Sequence, residues 1–496
     1  MFKYFFIILV SVSFLAGAQE SIDSTVKITL SLRNVIGLAV TQSSAIKYSQ
    51  NRNVNYYWRW KNFKTSSMPQ LTLSGNLPNY EHRSDEQVQQ NDGSYKFLPV
   101  SKVTASSTLS LSQSLPFTNS YIYAASSVRR LQDFYRNTTN YSSSPLSIGL
   151  YQPLFAFNWM KWNKKTEPLI YEEAQKEFVE SVEEISLEAT SRFFRYLQIQ
   201  TNYNLAESNL KNSQDNLRIA EVKRKIGDIS ENDFSRITLS VFNAQKALNK
   251  ARIDLKNADF ELKSYIGLDP GMKIELNVPL EMYLFEVDVN TALKEARENR
   301  KETPYLQRRV IEADRDLLQA KKASGLSVTL HGSYGLSKSA YDFTGVYENP
   351  ESSRQLLLEV NVPIMDWGRS ESRIKLAESR RDLILYDVER EKTNFERSIV
   401  VEVEQFNLLR DQINTAKEAD KVAENGYQIA LRKFQNGEIS ITDLNISLSE
   451  RESAKRDYIS SLERYWESFY SLRILTLYDF EMRSKISVNN PMLIGN

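Results

Sequence analysis

The stretch GEISITDL, Gly437–Leu444, lies within a long charged run, and GDISENDF, Gly227–Phe234, is a near copy of it 210 residues earlier. Gly, Ile, Ser and Asp fall at the same internal places in both octets. Each reads as a helix–turn–helix. Gly227 and Gly437 stop one helix, because a residue without a Cβ takes the left-handed conformation at little cost. Ser230 and Ser440 cap the returning helices. Asp233 and Asp443, three positions on, favour the helix dipole and can complete a capping box.

The offset holds far outside the octets. Pro153 in YQPLFAFNW and Pro363 in NVPIMDWGR each stand 74 residues before their glycine. Ala206 and Ala416, Ile219 and Ile429, Lys223 and Lys433, and Leu262 and Leu472 also match. The chain is a tandem repeat. Further upstream PQLTLSG (Pro69–Gly75) resembles GLSVTLHG (Gly325–Gly332) at an offset of 257, so the first half carries about 47 extra residues before Pro153. That excess contains LSLSQSLPFTNS, which imitates LSIGLYQPLFAFN and predicts an added β-hairpin over about 102–128.

Between the prolines and the glycines the spacing turns helical. Phe178, Val182, Ile185, Ala189, Phe193 and Leu197 form one stripe, continued by Ala206, Leu210, Leu217 and Ala220. The second repeat shows Phe395, Ile399, Val403, Phe406, Leu409, Ile413, Ala416, Ala423, Tyr427, Ala430 and Phe434 at the same steps. A run of ~65 residues makes a helix roughly 100 Å long, too long for a globule. Pro168 is expected near its start.

Before each stripe the period falls to two. Strands are predicted over about 69–79 and 146–156 in the first repeat and about 326–337 and 354–365 in the second. Their length suits tilted membrane strands. Residues 80–100 and 338–354, rich in turn formers and charge, read as external loops. Trp159, Trp162 and Trp367 follow strands, where an interfacial aromatic girdle would lie.

The N-terminus reads as an export signal over 1–18, with Lys3, an apolar run from Phe5 to Leu15, and cleavage between Ala18 and Gln19. Repeat one then spans 19–284 and repeat two 285–496, each opening with a helix. Near-equal counts of 63 basic and 62 acidic residues argue against a nucleic-acid partner. Two histidines and no cysteine leave little for a metal, cofactor or catalytic site. Acidic pairs such as Glu183–Glu184 read as solvated helix faces, so no enzyme is expected.

The tandem repeat, the strands ending in QPLF and VPIMDWG, the long helices and the G-x-x-x-x-x-D tips together make the chain similar to the TolC family of outer-membrane channels. The resemblance implies a homotrimer whose shared β-barrel sits in outer-membrane lipid and continues into a periplasmic α-helical barrel of coiled coils. It implies an equatorial belt that includes Gly267–Leu280 and the C-terminal tail. It also implies a periplasmic adaptor and an inner-membrane transporter as partners, for export of small molecules or of proteins by type I secretion. Asp443 and Asp233 match the family's aperture aspartates, while Phe434 and Ile439 replace a polar latch and suggest an apolar seal. Ile446 stands where a second acidic ring can occur. Gly227, Ser230, Gly437 and Ser440 are the tips an adaptor would dock. The alternatives are a periplasmic adaptor or a secreted coiled-coil adhesin.

Overall fold

FAFNW and MDWGR open the two long helices with an amide and a carboxylate. Asn158 Oδ1 accepts from the Lys161 N–H at 3.0 Å. Asp366 accepts from the N–H groups of Gly368 and Ser370 at 3.1 and 2.8 Å, and the Ser370 bonds hold its carboxyl below the usual carboxylate range. The computed structural model describes residues 27–89, 92–279, 282 and 285–493. The expected cleavage point at Ala18–Gln19 lies outside them.

In chain order the elements begin with β1 (Lys27–Leu30), α1 (Leu32–Gln42) and α2 (Ser44–Ser66). Four strands follow: β2 (Gln70–Gln89), β3 (Tyr95–Leu115), β4 (Ser120–Asp133) and β5 (Thr138–Leu154). Next come α3 (Trp159–Lys225), α4 (Glu231–Ile266) and β6 (Lys273–Leu276). The second repeat holds α5 (Val289–Asn299), α6 (Glu302–Ala323), β7 (Ser327–Ala340), β8 (Glu351–Asn361), α7 (Arg369–Gln435) and α8 (Ile441–Thr476). A short tail pairs β9 (Tyr478–Asp479) with β10 (Ser484–Lys485).

The duplication is visible in the helices. Both α3 and α7 have 67 residues, and both α4 and α8 have 36. Their starts differ by 210, 369 against 159 and 441 against 231. Pro168 sits inside α3, because the helix starts at Trp159, earlier than a proline at the first turn would require. The predicted stripe residues from Phe178 to Leu197 are buried, as are Ile399 to Ile413 at their steps.

The chain divides into two compact units. One gathers the segment ending at Ser43 with Ala189–Met282 and Glu418–Ser460. In it β1 and β6 pair in parallel. Side chains of α3 hold β6 in place: Gln200 exchanges two 3.0 Å bonds with the Leu276 backbone, and Tyr196 donates to the Ile274 carbonyl. Gly267, at φ 74°, ends α4 and begins the predicted belt segment; Leu280, at its other end, lies outside the described residues.

The other unit gathers Ser44–Glu188, Tyr283–Lys417 and Ser461–Asn496. Its sheet has six antiparallel strands in the order β2-β3-β4-β5-β7-β8. Register places Leu71, Leu111, Ala124, Ile148 and Tyr334 on one row, and Ile122, Leu150, Gly332 and Leu356 on another of the same face. The opposite face carries Thr72, Ser110, Tyr123, Gly149, Ser333 and Gln355. One side is mainly apolar and the other mainly polar, with Arg354 closing the first of these rows and Leu357 lying on the polar side.

One loop expectation is corrected here and the other is shortened to 341–350. Residues 80–100 are mostly strand, with β2 reaching Gln89 and β3 starting at Tyr95 around an Asp92–Ser94 turn. Within 338–354, β7 runs to Ala340 and β8 starts at Glu351. The residues between fold onto the apolar face, where Ser143 Oγ donates to the Val346 carbonyl at 2.7 Å and Phe343 meets the Tyr141 ring edge-on. The added hairpin is β3–β4, and it lies within the sheet.

Helix packing in this unit relies on buried charge. Glu183, expected on a solvated face, is buried and receives the Arg473 fork at 2.7 and 3.0 Å. Arg300, only 6% exposed, binds Glu180 (7%) at 2.8 Å, Glu302 at 2.7 Å and the Ile474 carbonyl at 2.6 Å. Burial pushes the Glu180 carboxyl up, against the pull of Arg300 and Lys301. Burial also pushes Glu402 up, although Ser468 Oγ donates to it at 2.6 Å. A raised folded pKa gives stability that is whole at acid pH and lost as pH rises through the raised value. Glu402→Gln keeps the serine bond and removes that loss. It is expected to leave Tm unchanged at pH 5 and raise it by a few degrees at pH 8 in a thermal melt.

Candidate gating site at the paired hairpin tips

Each tip is closed by the same backbone pattern. At the first, Gly227 N–H donates to the Arg224 carbonyl at 3.1 Å and Asp228 N–H to that of Lys223 at 2.9 Å. At the second, Gly437 donates to Phe434 at 3.0 Å and Glu438 to Lys433 at 2.9 Å. With φ of 77° and 80° at the glycines, both are Schellman stops. An added Cβ at Gly437 would also stand 3.3 Å from Lys223 Nζ, so the amine of one repeat lies over the turn of the other.

The returning helices are capped as their sequence suggests. Ser230 Oγ accepts from the Asp233 N–H at 3.0 Å and donates to its carboxylate at 2.7 Å. Ser440 makes the same pair with Asp443, at 3.2 and 2.7 Å, and its backbone N–H adds a third bond at 3.1 Å. That third bond completes a capping box. The Ser440 hydroxyl and N–H hold the exposed Asp443 carboxyl below the usual carboxylate range. Asp233 is half-buried and Asp443 faces solvent.

The two tips share one core. Ala220 and Ile237 of the first repeat are buried together with Tyr427, Ala430, Ile441 and Leu444 of the second. Phe434 and Ile439 are half-buried against this cluster, so the seam they cover lies between the two tips of one chain. Ile446 is 53% exposed. A cleft of about 250 Å³ remains beside the core, and Lys223, Asp228, Asp233, Phe434 and Ser440 line it.

Polar contacts farther from the turns were not foreseen in the sequence. Asn212 Nδ2 donates to the Tyr427 hydroxyl at 2.9 Å, and Asn209 Nδ2 donates to Glu452. Arg451 lies 4.3 Å over the Tyr427 ring and 3.6 Å from Glu424. These groups join α3 to α7 and α8 across the repeat boundary. Their only signal in sequence is polarity at positions next to the apolar stripe, which does not identify a partner more than 200 residues away.

Residues 292–475 match the family model for outer membrane efflux proteins. No curated protein matches the chain in sequence. Among solved structures, the fold is similar to the Campylobacter jejuni CmeC outer membrane channel, with TM-score 0.66, 13% identity and coverage of 93% of this chain and 88% of that one. A membrane protein from Pseudomonas aeruginosa gives 0.65, at 13% identity and 92% of each chain. The open-state Neisseria gonorrhoeae MtrE outer membrane channel gives 0.59, at 12% identity, covering 92% of this chain and 90% of that one. Residues 292–475 thus match an outer membrane efflux protein domain, and the whole chain carries a fold similar to that of the TolC-family outer-membrane channels.

Proposed function

We propose that the protein is a trimeric exit duct whose six-stranded sheets form a pore in the outer membrane and whose paired tips control its periplasmic entrance. A sheet apolar on one face and polar on the other suits lipid outside and water within. The observation that carries the reading is that two hairpin tips of like turn geometry share one buried core. Such a core joins the two tips of a chain into one unit, which would move as a whole between closed and open arrangements of the duct. The outer membrane is the protein's place, with the helices extending into the periplasm. A periplasmic adaptor would dock at the Gly227–Ser230 and Gly437–Ser440 turns, and an inner-membrane transporter would supply energy. Trp159 and Trp367, exposed where the strands give way to helix, would form the aromatic girdle at the inner interface.

Asp443 would supply three carboxylates around the axis, attracting cations and repelling anions. Single-channel recording in planar bilayers tests this. Native protein is expected to give a small cation-selective conductance, and Asp443→Ala a larger, less selective one. Absence of any pore from folded protein sinks the channel reading, and an unchanged mutant reduces Asp443 to a helix cap. The pH profile follows from the same bonds. A depressed folded pKa gives a contribution whole above the ordinary carboxylate value and lost as pH falls through the depressed one. Selectivity is therefore expected to persist at pH 5.

A further inference from the structure

Among the described residues, both edges of the six-stranded sheet are open. β2 and β8 have partners on one side only, and every residue of β8 is exposed. These edges carry Leu71 and Leu73 on β2, and Leu356, Leu358 and Val360 on β8, all on the apolar face. Unpaired backbone N–H and C=O groups do not persist in hydrocarbon. A six-stranded sheet is also too narrow to close on itself, since about eight strands make the smallest filled barrel.

The hairpin β3–β4 belongs to the part that crosses the membrane. Leu109 and Leu111 stand in register with Leu73 and Leu71, and Ile122 with Leu150. Its turn is tied to the helix end of the sheet. Asn158 Nδ2 donates to the Pro116 carbonyl at 2.8 Å, Gln152 Nε2 to that of Thr118 at 2.9 Å, and Asn119 Nδ2 to that of Phe157 at 3.3 Å. The hairpin therefore runs beside its neighbours over their shared length and does not cap them. Because the strand number is even and all pairs are antiparallel, β8 and β2 run in opposite directions. Copies arranged in a ring can pair them antiparallel with the apolar faces continuous, a head-to-tail contact that closes by rotation.

We infer that β8 of each copy zips onto β2 of the next, so that three copies close one barrel of eighteen strands, six from each. The trimer count rests on the proposed function. The pairing of β8 with β2 and the six-strand share rest on the sheet itself. The two strands per repeat expected of the family would give four per copy, and the added hairpin widens the pore wall by half.

The chain has no cysteine, so introduced pairs report cleanly. Leu356→Cys, Leu358→Cys or Val360→Cys is combined in one chain with Leu71→Cys or Leu73→Cys, inserted into outer membrane and oxidised. At least one pair is expected to drive most of the protein into a disulfide ladder ending at three chains, reversed by reductant. The same β8 cysteines with Ile122→Cys are expected to give no link between copies. Links to Ile122→Cys, or no β8–β2 link in protein that light scattering shows to be trimeric, overturn the six-strand seam and leave the trimer standing. A ladder ending at another number, or a monomer by light scattering, overturns the count of eighteen together with the trimeric reading.

Discussion

Arg300→Ala is expected to lower stability by about 3–5 kcal/mol, the usual result of removing one partner from a buried ion pair. The guanidinium satisfies two carboxylates and the Ile474 carbonyl from a position with almost no solvent. Without it, Glu180 keeps only Lys301, whose Nζ is 3.2 Å from its second oxygen. Thermal melting in detergent should show a fall of several degrees. Burial already pushes Glu180 up, so a proton can relieve the bare charge. The raised folded pKa means the remaining stability is lost as pH rises, and the deficit should be larger at pH 8 than at pH 5. Adding Glu180→Gln should recover much of it. An unchanged melt, or a deficit independent of pH, would show that the network is not what holds α3, α6 and α8 together.

Leu444→Ala is expected to cost about 2–5 kcal/mol, because a core leucine is replaced by a cavity. Leu444 is 3% exposed in the cluster shared by both tips. Its loss should speed amide hydrogen exchange more than tenfold over residues 427–448 and also over 217–237, where no residue has changed. Ile446→Ala, at an exposed position, should leave both segments as they were. Faster exchange confined to 441–448 would mean that the tips are packed separately.

What could be read from sequence was what local chemistry determines. A glycine stop, a serine cap and an aspartate three residues on need no distant partner, so the tips at 227–234 and 437–444 were legible. The helix pairs were legible because the repeat supplied each reading twice. Residues 80–89 were not. Arg83 and Glu81 bond each other, and Lys102 on the facing strand reaches Glu81, but a run as polar as HRSDEQ has no apolar alternation to mark a strand. Polarity there looked like a loop. Glu183 misled for the opposite reason, since a carboxylate that finds Arg473 looks the same in sequence as one that finds water. Phe434 and Ile439 showed their apolar character, but not that the core they cover is shared with the other repeat.

In the proposed duct, the common core under the two tips would limit how the entrance responds to load. Ala220 and Ile237 cannot leave Ile441 and Leu444 without exposing both hairpins, so a pull on either turn is felt at the other. Each chain then behaves as one hinge with two handles. Three chains would give three coupled steps where six separate tips would give six. A partner gripping only one turn per chain would be enough to move the whole ring.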